Sequence, residues 1–333
     1  MSEGRETIVE VPQGWERVAC HLCGSADDSL FVYDHDINHA AIRMVICQRC
    51  GLLYQDPTMT SEALADYYRD GYWNTVGFGD RPTRRNLLAS LDVGREIARQ
   101  CAPHMVAQGW VLDVGSARGG MLRAFIEQGH RATGVEPSDL WAGFTRDVLG
   151  LDVRHATLEQ ADLTEGSFDL ATLSHVLEHL PDPAGSLRRL RQLLTPSGLL
   201  CVEVPDVTFP ATSPRKRFHI GHLMVFSAAT LEAMVTRSGF DIVARLHRNG
   251  YLRLLARKAP GEAPRDGALP EGEADRIRGL LARMDPWHCY TGRKYWGQRM
   301  SKVVRNLSHR CDGSQWRARY GLPSDSPCPY PDL

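Results

Sequence analysis

Three groups of residues in this chain of 333 residues have types and spacings suited to chemistry. The first is a pair of C-x-x-C-G units, Cys20 and Cys23 in CHLCG and Cys47 and Cys50 in CQRCG. Two residues between thiols let both reach one tetrahedral ion, and the following glycine allows a tight turn whose amides point at sulfur. Four thiolates fill the coordination sphere of zinc, so the expectation is a structural zinc ribbon held by these cysteines, with no open position for chemistry. The stretch SLFVYDHDINHAAIRMVI between the knuckles reads as a hairpin that fills the unusually long gap. The other cysteines show no such spacing and read as plain thiols.

The second group is the run VLDVGSARGG, an apolar strand breaking into a glycine turn at Gly115, Ser116, Ala117, Arg118 and Gly119. A dinucleotide site would read G-x-G-x-x-G with phosphate on helix-terminal amides, but here Ala117 replaces the middle glycine. Asp113, two residues before the turn, would repel a pyrophosphate and suits a ligand carrying an ammonium group. S-adenosylmethionine has that ammonium and no phosphate. Glu136, at the end of the next apolar run RATGVE, is placed to accept the two ribose hydroxyls.

The third group is histidine-rich. His175 directly follows the strand FDLATLS, and His222 lies in FHIGHLMVFS after a later strand. Either can take a proton near neutral pH, which makes both candidate bases. HVLEH also puts His175, Glu178 and His179 at i, i+3 and i+4, within reach of one divalent ion if the segment is helical.

The elements that must position these residues alternate. Strands are expected at 110–114, 131–136, 152–156, 168–174, 198–204, 240–248 and 251–258. Helices are expected at 83–106, 119–128, 138–149, 183–194 and 227–238, with a capped helix start at Thr60 or Ser61. Asn249-Gly250 between two apolar runs signals a hairpin, so the sheet should end with an antiparallel strand. Parallel strands alternating with helices imply an α/β sheet covered on both faces, with ligands beyond the carboxyl ends of the strands. Residues 259–275 are rich in Pro and Gly and read as a linker. The tail beyond is basic and aromatic, with Trp287, Tyr290, Tyr295, Trp296, Trp316 and Tyr320.

Arg and Lys number 39 against 40 acids, a net charge of −1, which gives no overall field to attract nucleic acid or an anionic membrane. No apolar run approaches a membrane span, and the N-terminus lacks the apolar core of a signal peptide, so the expected location is cytoplasmic.

These motifs resemble those of class I S-adenosylmethionine-dependent methyltransferases over about residues 105–258. VLDVGSARGG resembles their first motif, GVEPS the second, SFDLATLSHVLEHLPDP the fourth, and LLTPSGLLCVEVPD the region of the fifth strand. With CxxCG…CxxCG, YYRDGYW and HLMVFSAATLEAMVTRSGF added, the chain is similar to zinc-ribbon methyltransferases of sugar and natural-product pathways. The resemblance implies a Rossmann-like, mostly parallel seven-stranded sheet with an antiparallel last strand, plus the ribbon and a C-terminal extension. It implies a ribbon segment at 1–57, a helical lid at 58–105, the methyltransferase domain at 106–258 and the extension at 259–333. The cofactor would meet Asp113, Gly115, Ser116, Ala117, Gly119, Glu136, Pro137, Ser138 and Ser174. Thr157 and Leu158 would border adenine, and Tyr68 and Tyr72 would close over the methionine end.

The expected activity is methylation of a small polar acceptor, foremost an oxygen of a sugar or natural product, either free or phosphate- or nucleotide-linked. The alternative is a carbon or nitrogen of the same kind of acceptor. An RNA methyltransferase or zinc-bearing nucleic-acid binder would use the basic tail, but the charge balance argues against it. No Asn/Asp-Pro-Pro-aromatic run follows the fourth strand, which argues against nucleobase or amide nitrogen. A nicotinamide oxidoreductase is disfavoured by Asp113 and by the missing glycine.

Overall fold

The cysteine knuckles organise the first part of the chain. A computed structural model describes residues 11–35, 41–70, 82–210, 218–246, 248, 250–261, 267–283 and 316–322. After a short β1 (Trp15–Glu16) the chain makes β2 (Ser29–His35), β3 (Ala41–Cys47), β4 (Leu53–Gln55) and β5 (Thr58–Met59). The hairpin expected between the knuckles is β2 against β3, paired from Ser29↔Cys47 to His35↔Ala41. β3 then pairs antiparallel with β4, so Cys50 falls in the turn between them. Both faces of β3 are covered from Met44 to Cys47, where its sequence is an unbroken apolar run. Val45 joins the main core, while Met44 and Ile46 face a second cluster with Leu53 and Ile277.

Helix α1 (Ser61–Asp70) is capped by the Thr60 hydroxyl, which accepts from the Ala63 amide, and leads to α2 (Arg84–Cys101), capped by Thr83. From there strands and helices alternate: β6 (Trp110–Val114), α3 (Gly120–Glu127), β7 (Arg131–Glu136), α4 (Asp139–Gly143), β8 (Val153–His155), β9 (Phe168–Ser174), α5 (Pro183–Leu193) and β10 (Leu194–Pro205). A short β11 (Met224–Val225), α6 (Ala228–Arg237), β12 (Phe240–Arg245) and β13 (Tyr251–Lys258) follow, then α7 (Glu273–Ala282) and α8 (Trp316–Arg319).

The seven-stranded sheet has the order β12-β13-β10-β9-β6-β7-β8. β8, β7, β6, β9 and β10 run parallel; β13 is antiparallel to both β10 and β12. Alternate residues enter opposite cores, Leu112 and Leu200 on one face and Val111 and Leu199 on the other. Strand order reverses between β6 and β9, which opens a crevice beyond their carboxyl ends. Gly94 of α2 faces Gly120 of α3 so closely that a Cβ at Gly94 would lie 2.4 Å from the Gly120 carbonyl oxygen. That approach fixes the start of α3 directly behind the glycine turn.

The two sheets are joined. β11, from the connection after β10, pairs with β4, giving the ribbon sheet the order β11-β4-β3-β2. Cys47 and Cys50 share a continuous core with Val114 and Leu173 of the central sheet.

Three local expectations change. The single helix expected over 138–149 is α4 followed by a π turn at Phe144–Val148, which carries the Thr145 hydroxyl to the Ala117 carbonyl at 2.6 Å. The linker expected over 259–275 ends in helix, because α7 begins at Glu273 and sets Ala274 and Ile277 against the ribbon. The helix expected to run to 106 stops at Cys101, where Pro103 leaves a 3-10 turn. Tyr320 of the tail is buried, its hydroxyl donating to the Leu87 carbonyl at 2.9 Å. Tyr72, Asn249, Trp287, Tyr290, Tyr295 and Trp296 lie outside the described residues. No helix among the described residues is long and apolar enough to cross a membrane.

Candidate active site

At the end of β6 the backbone turns through Gly115, Ala117 and Gly119, all in the left-handed region at φ of 70°, 40° and 68°. For Ala117 this conformation costs about 1–2 kcal/mol. It is held from both sides: the Ala117 amide donates to Glu136 at 2.9 Å and its carbonyl accepts from Thr145. A Cβ at Gly115 would meet Val176 at 2.6 Å, so glycine is required there for space as well as for backbone geometry.

Glu136 accepts the Ala117 amide on one carboxylate oxygen and the Ser138 amide on the other, each at 2.9 Å. Each oxygen keeps a further lone pair, the arrangement that two vicinal hydroxyls require. Burial pushes its carboxyl up to about 6. Asp113 accepts from the Thr172 hydroxyl at 2.6 Å; burial pushes it to about 7, Thr172 opposes, and the Glu136 charge adds to the rise. A cation brought beside Asp113 would restore its ionised form. The Ser116 hydroxyl is buried and has no hydrogen-bond partner among the described residues. An amine-bearing nucleoside fits this set of an acid pair, a glycine cradle and an orphaned hydroxyl.

The other residues expected near a cofactor are distributed around the turn. Thr157 follows β8, where the neighbouring Ala156 amide donates to the Glu136 carbonyl at 3.2 Å. Leu158 is part of the core. The Pro137 carbonyl meets His155 Nε2 at 3.2 Å. Ser174 turns aside, its hydroxyl donating to Glu203 at 3.2 Å. Tyr68 meets His179 edge-on at 6.0 Å, on the histidine side of the crevice. Arg118 lies over the Trp141 ring at 4.8 Å.

Beyond β9, His175 stands at φ 59°, an uncommon conformation for a non-glycine residue. Its amide donates to the Glu203 carbonyl at 2.9 Å. Its ring lies between two buried carboxylates, Nδ1 3.5 Å from Glu178 and Nε2 3.6 Å from Glu203, while the side chain stays 40% exposed. Burial alone would lower this imidazole, but the two carboxylates outweigh it and hold it above the ordinary histidine range.

Residues 177–179 form a 3-10 turn, with Val176 at φ −129°, so the α-helical spacing expected for HVLEH is absent. The trio brought together is instead Glu178, His179 and His222, whose ligand atoms all lie within 4.8 Å of one another. His179 Nδ1 donates to the Gly221 carbonyl at 2.7 Å. The His179 and His222 rings meet at 4.8 Å, and burial lowers both imidazoles to about 3. Glu178 is 1% exposed, and neither carboxylate oxygen has a hydrogen-bond partner among the described residues.

Three supporting residues went unrecognised in the sequence. Glu203 faces Arg253 across β10 and β13 and is bound by its guanidinium, with Nε to carboxylate at 2.8 Å. Arg253 is fully buried and also reaches Glu96 at 3.1 Å and Gln100 at 2.5 Å. One acid within β10, and an arginine within the apolar first half of β13, was the available signal. Gln55 of β4 donates to the carbonyls of His219, Ile220 and His222 at 3.2, 2.9 and 2.8 Å. The ribbon thereby holds the loop that carries His222.

The four cysteine sulfurs lie within 4.8 Å of one another, with Cys20–Cys50 and Cys23–Cys47 at 3.4 Å. A disulfide would need about 2 Å, whereas sulfurs around a tetrahedral zinc stand about 3.8 Å apart. Gly24 and Gly51, at φ 73° and 75°, donate to the Cys20 and Cys47 carbonyls at 2.8 Å and close the knuckles. Contact with Cys47 pushes the Cys20 thiol up to about 12, and contact with Cys20 holds Cys47 down at about 2. Four adjacent thiolates need a cation, and the donor set fits zinc.

Residues 86–245 match the family model described as a methyltransferase domain. The match covers most of the seven-stranded sheet, whose fold is the Rossmann-like methyltransferase fold. A ubiquinone biosynthesis O-methyltransferase of Pseudomonas paraeruginosa is 34% identical over 94 residues, which is 26% of this chain and 40% of that protein. A probable S-adenosylmethionine-dependent methyltransferase of Mycolicibacterium smegmatis is 27% identical over 169 residues, 49% of this chain and 65% of that one. The Burkholderia thailandensis 1,6-didemethyltoxoflavin-N1-methyltransferase, solved with S-adenosylhomocysteine, is 22% identical. It covers 64% of this chain and 96% of its own, at a TM-score of 0.47. The chain thus spans about two fifths of the length of the ubiquinone-pathway relatives.

Proposed function

We propose that the chain is an S-adenosylmethionine-dependent methyltransferase acting on a small polar acceptor, foremost an oxygen of a sugar or natural product. The observation that carries this reading is Glu136, fixed by two turn amides with a free lone pair on each oxygen, beside a histidine-lined crevice. The methyltransferase-domain match supports it; the acceptor class rests on the resemblance of the ribbon and lid motifs to sugar and natural-product enzymes.

In this reading Glu136 binds the ribose hydroxyls, Asp113 the ammonium group, and Thr157 and Leu158 border the adenine. Ser116 supplies a hydroxyl to the cofactor from the turn. When bound, the cofactor supplies a methyl group on a positively charged sulfur. His175 takes the acceptor's hydroxyl proton at Nδ1, while Nε2–H stays turned to Glu203. His175 suits this role better than His222, because Glu178 and Glu203 stabilise the imidazolium that forms. His222 packs against two other imidazoles, which oppose a charge there. Zinc at Cys20, Cys23, Cys47 and Cys50 holds the ribbon, and through Gln55 the loop over the crevice.

Incubation with methyl-labelled S-adenosylmethionine and fractionated small-molecule extracts tests the reading. Label should pass to a small molecule, and His175→Ala should lower transfer by about 10²–10⁴-fold while cofactor affinity stays near wild type. Labelled nucleic acid, or transfer unaffected by His175→Ala, would contradict it.

A further inference from the structure

Glu178, His179 and His222 have an arrangement that proton transfer by His175 does not use. Two come from the turn after β9 and the third from the loop after β10, yet their ligand atoms converge within 4.8 Å. We infer that these three residues form a second metal site, holding a divalent transition-metal ion of the zinc class with an open position toward the acceptor.

Three features carry this beyond coincidence of residue types. The first is Glu178, a carboxylate 1% exposed whose oxygens have no hydrogen-bond partner among the described residues. The His175 ring at 3.5 Å is its nearest counter-charge and makes no full hydrogen bond, so a cation bound directly to the carboxylate would offset the cost of burying it. The second is the orientation of His179. Its Nδ1–H is committed to the Gly221 carbonyl, so its Nε2 carries the lone pair and lies 3.8 Å from Glu178. Metal-bound histidines are commonly oriented this way by a backbone carbonyl on the other nitrogen. The third is the anchoring of His222. Gln55 binds its carbonyl, and the His222 amide donates to the His219 carbonyl at 2.8 Å, so the third donor is fixed by the ribbon.

Two imidazoles and one carboxylate suit zinc and its first-row neighbours; calcium and magnesium favour all-oxygen shells. Three protein donors leave a tetrahedral ion one open position. Such an ion would acidify an acceptor hydroxyl bound there, and His175, which borders Glu178 at 3.5 Å, would take the proton. The site itself stands on the three donors; its use in holding an acceptor rests on the methyltransferase reading.

Cobalt substitution of the full-length protein tests the site without an assay of turnover. Two equivalents of Co²⁺ should bind. One should show the intense thiolate charge-transfer absorption of the cysteine quartet, the other only weak visible bands without a thiolate component. His222→Ala and Glu178→Gln should each lose the second equivalent and keep the thiolate signal, which also reports that the ribbon has folded. Wild-type protein that takes up only the thiolate-bound equivalent would overturn the proposal. So would two equivalents in both variants. Binding of S-adenosylhomocysteine, measured on the same samples, separates the two ideas: lost cofactor binding with two cobalt equivalents overturns the methyltransferase reading alone.

Discussion

Replacing Gln55 by Leu should loosen the histidine loop while leaving the cofactor turn intact. The side chain is fully buried and has two N–H groups serving three carbonyls. The contacts at 2.8 and 2.9 Å, to His222 and Ile220, are the full bonds, and the 3.2 Å contact to His219 shares a proton with them. A neutral hydrogen bond contributes about 0.5–1.5 kcal/mol net, and a buried carbonyl left unpaired costs about 1–3 kcal/mol. Ile220 and His222 are only half-buried, so water recovers part of that loss. The expected cost is about 2 kcal/mol, a factor of about 30 in the opening equilibrium of the loop. Hydrogen exchange read by mass spectrometry should show amides of residues 218–226 exchanging about 30 times faster, with residues 111–120 unchanged. Leu keeps the side chain's approximate volume, so lost packing does not account for the effect. Protection at 218–226 unchanged within about twofold, when about 30-fold is expected, would refute the claim that the ribbon anchors this loop.

Arg253→Met should destabilise the protein by about 3–5 kcal/mol, because it leaves Glu203 buried without its partner; a denaturant midpoint equal to wild type would contradict this. Methyl transfer to a hydroxyl should rise with pH and reach half its maximum above the ordinary histidine range, because the carboxylates beside His175 favour its charged, inactive form. Glu203→Gln should move that profile to lower pH, and an unmoved profile would count against His175. In the ligand-free protein Asp113 binds its proton more tightly folded, at about 7, than unfolded, at 3.8. Its protonation therefore favours the fold at acid pH, and the contribution is lost as pH rises through that interval, by a few kcal/mol at most. The stability of wild type relative to Asp113→Asn should fall between pH 4 and 7, and a flat difference would show that Asp113 is not desolvated. Chelation of the quartet zinc should expose residues 18–57 and release the 218–226 loop with them, which hydrogen exchange before and after chelation would detect; a loop that stays protected would separate the two.

Segments 131–136, 168–174 and 251–258 were legible as strands to the residue, because each is an apolar run bounded by turn residues. Asp113, Glu136 and His175 were legible because they stand where such runs end, and the parallel register brings those ends to one edge. The ribbon hairpin was legible from duplicated knuckles. What stayed hidden depends on pairings between distant segments. Glu203 and Arg253 become partners only when β13 inserts antiparallel beside β10. Gln55 is one polar residue closing the apolar stretch LLYQ, and its role appears only against carbonyls 164 or more positions away. The π turn at Phe144–Val148 follows from Thr145 reaching Ala117, a contact that helical periodicity does not encode. In HVLEH the periodicity misleads, since a left-handed His175 and a Val176 at φ −129° and ψ −44° break the helix and hand the third donor position to His222.

Calorimetric titration of the purified protein with S-adenosylhomocysteine and, separately, with a nicotinamide dinucleotide tests the central claim most directly. The account predicts one site for S-adenosylhomocysteine. Glu136→Gln should weaken it at least about tenfold, because a charge-assisted hydrogen bond is worth about 1.5–3 kcal/mol. The dinucleotide should give no heat. Binding of the dinucleotide in its place, or equal affinity of wild type and Glu136→Gln for S-adenosylhomocysteine, would contradict the account.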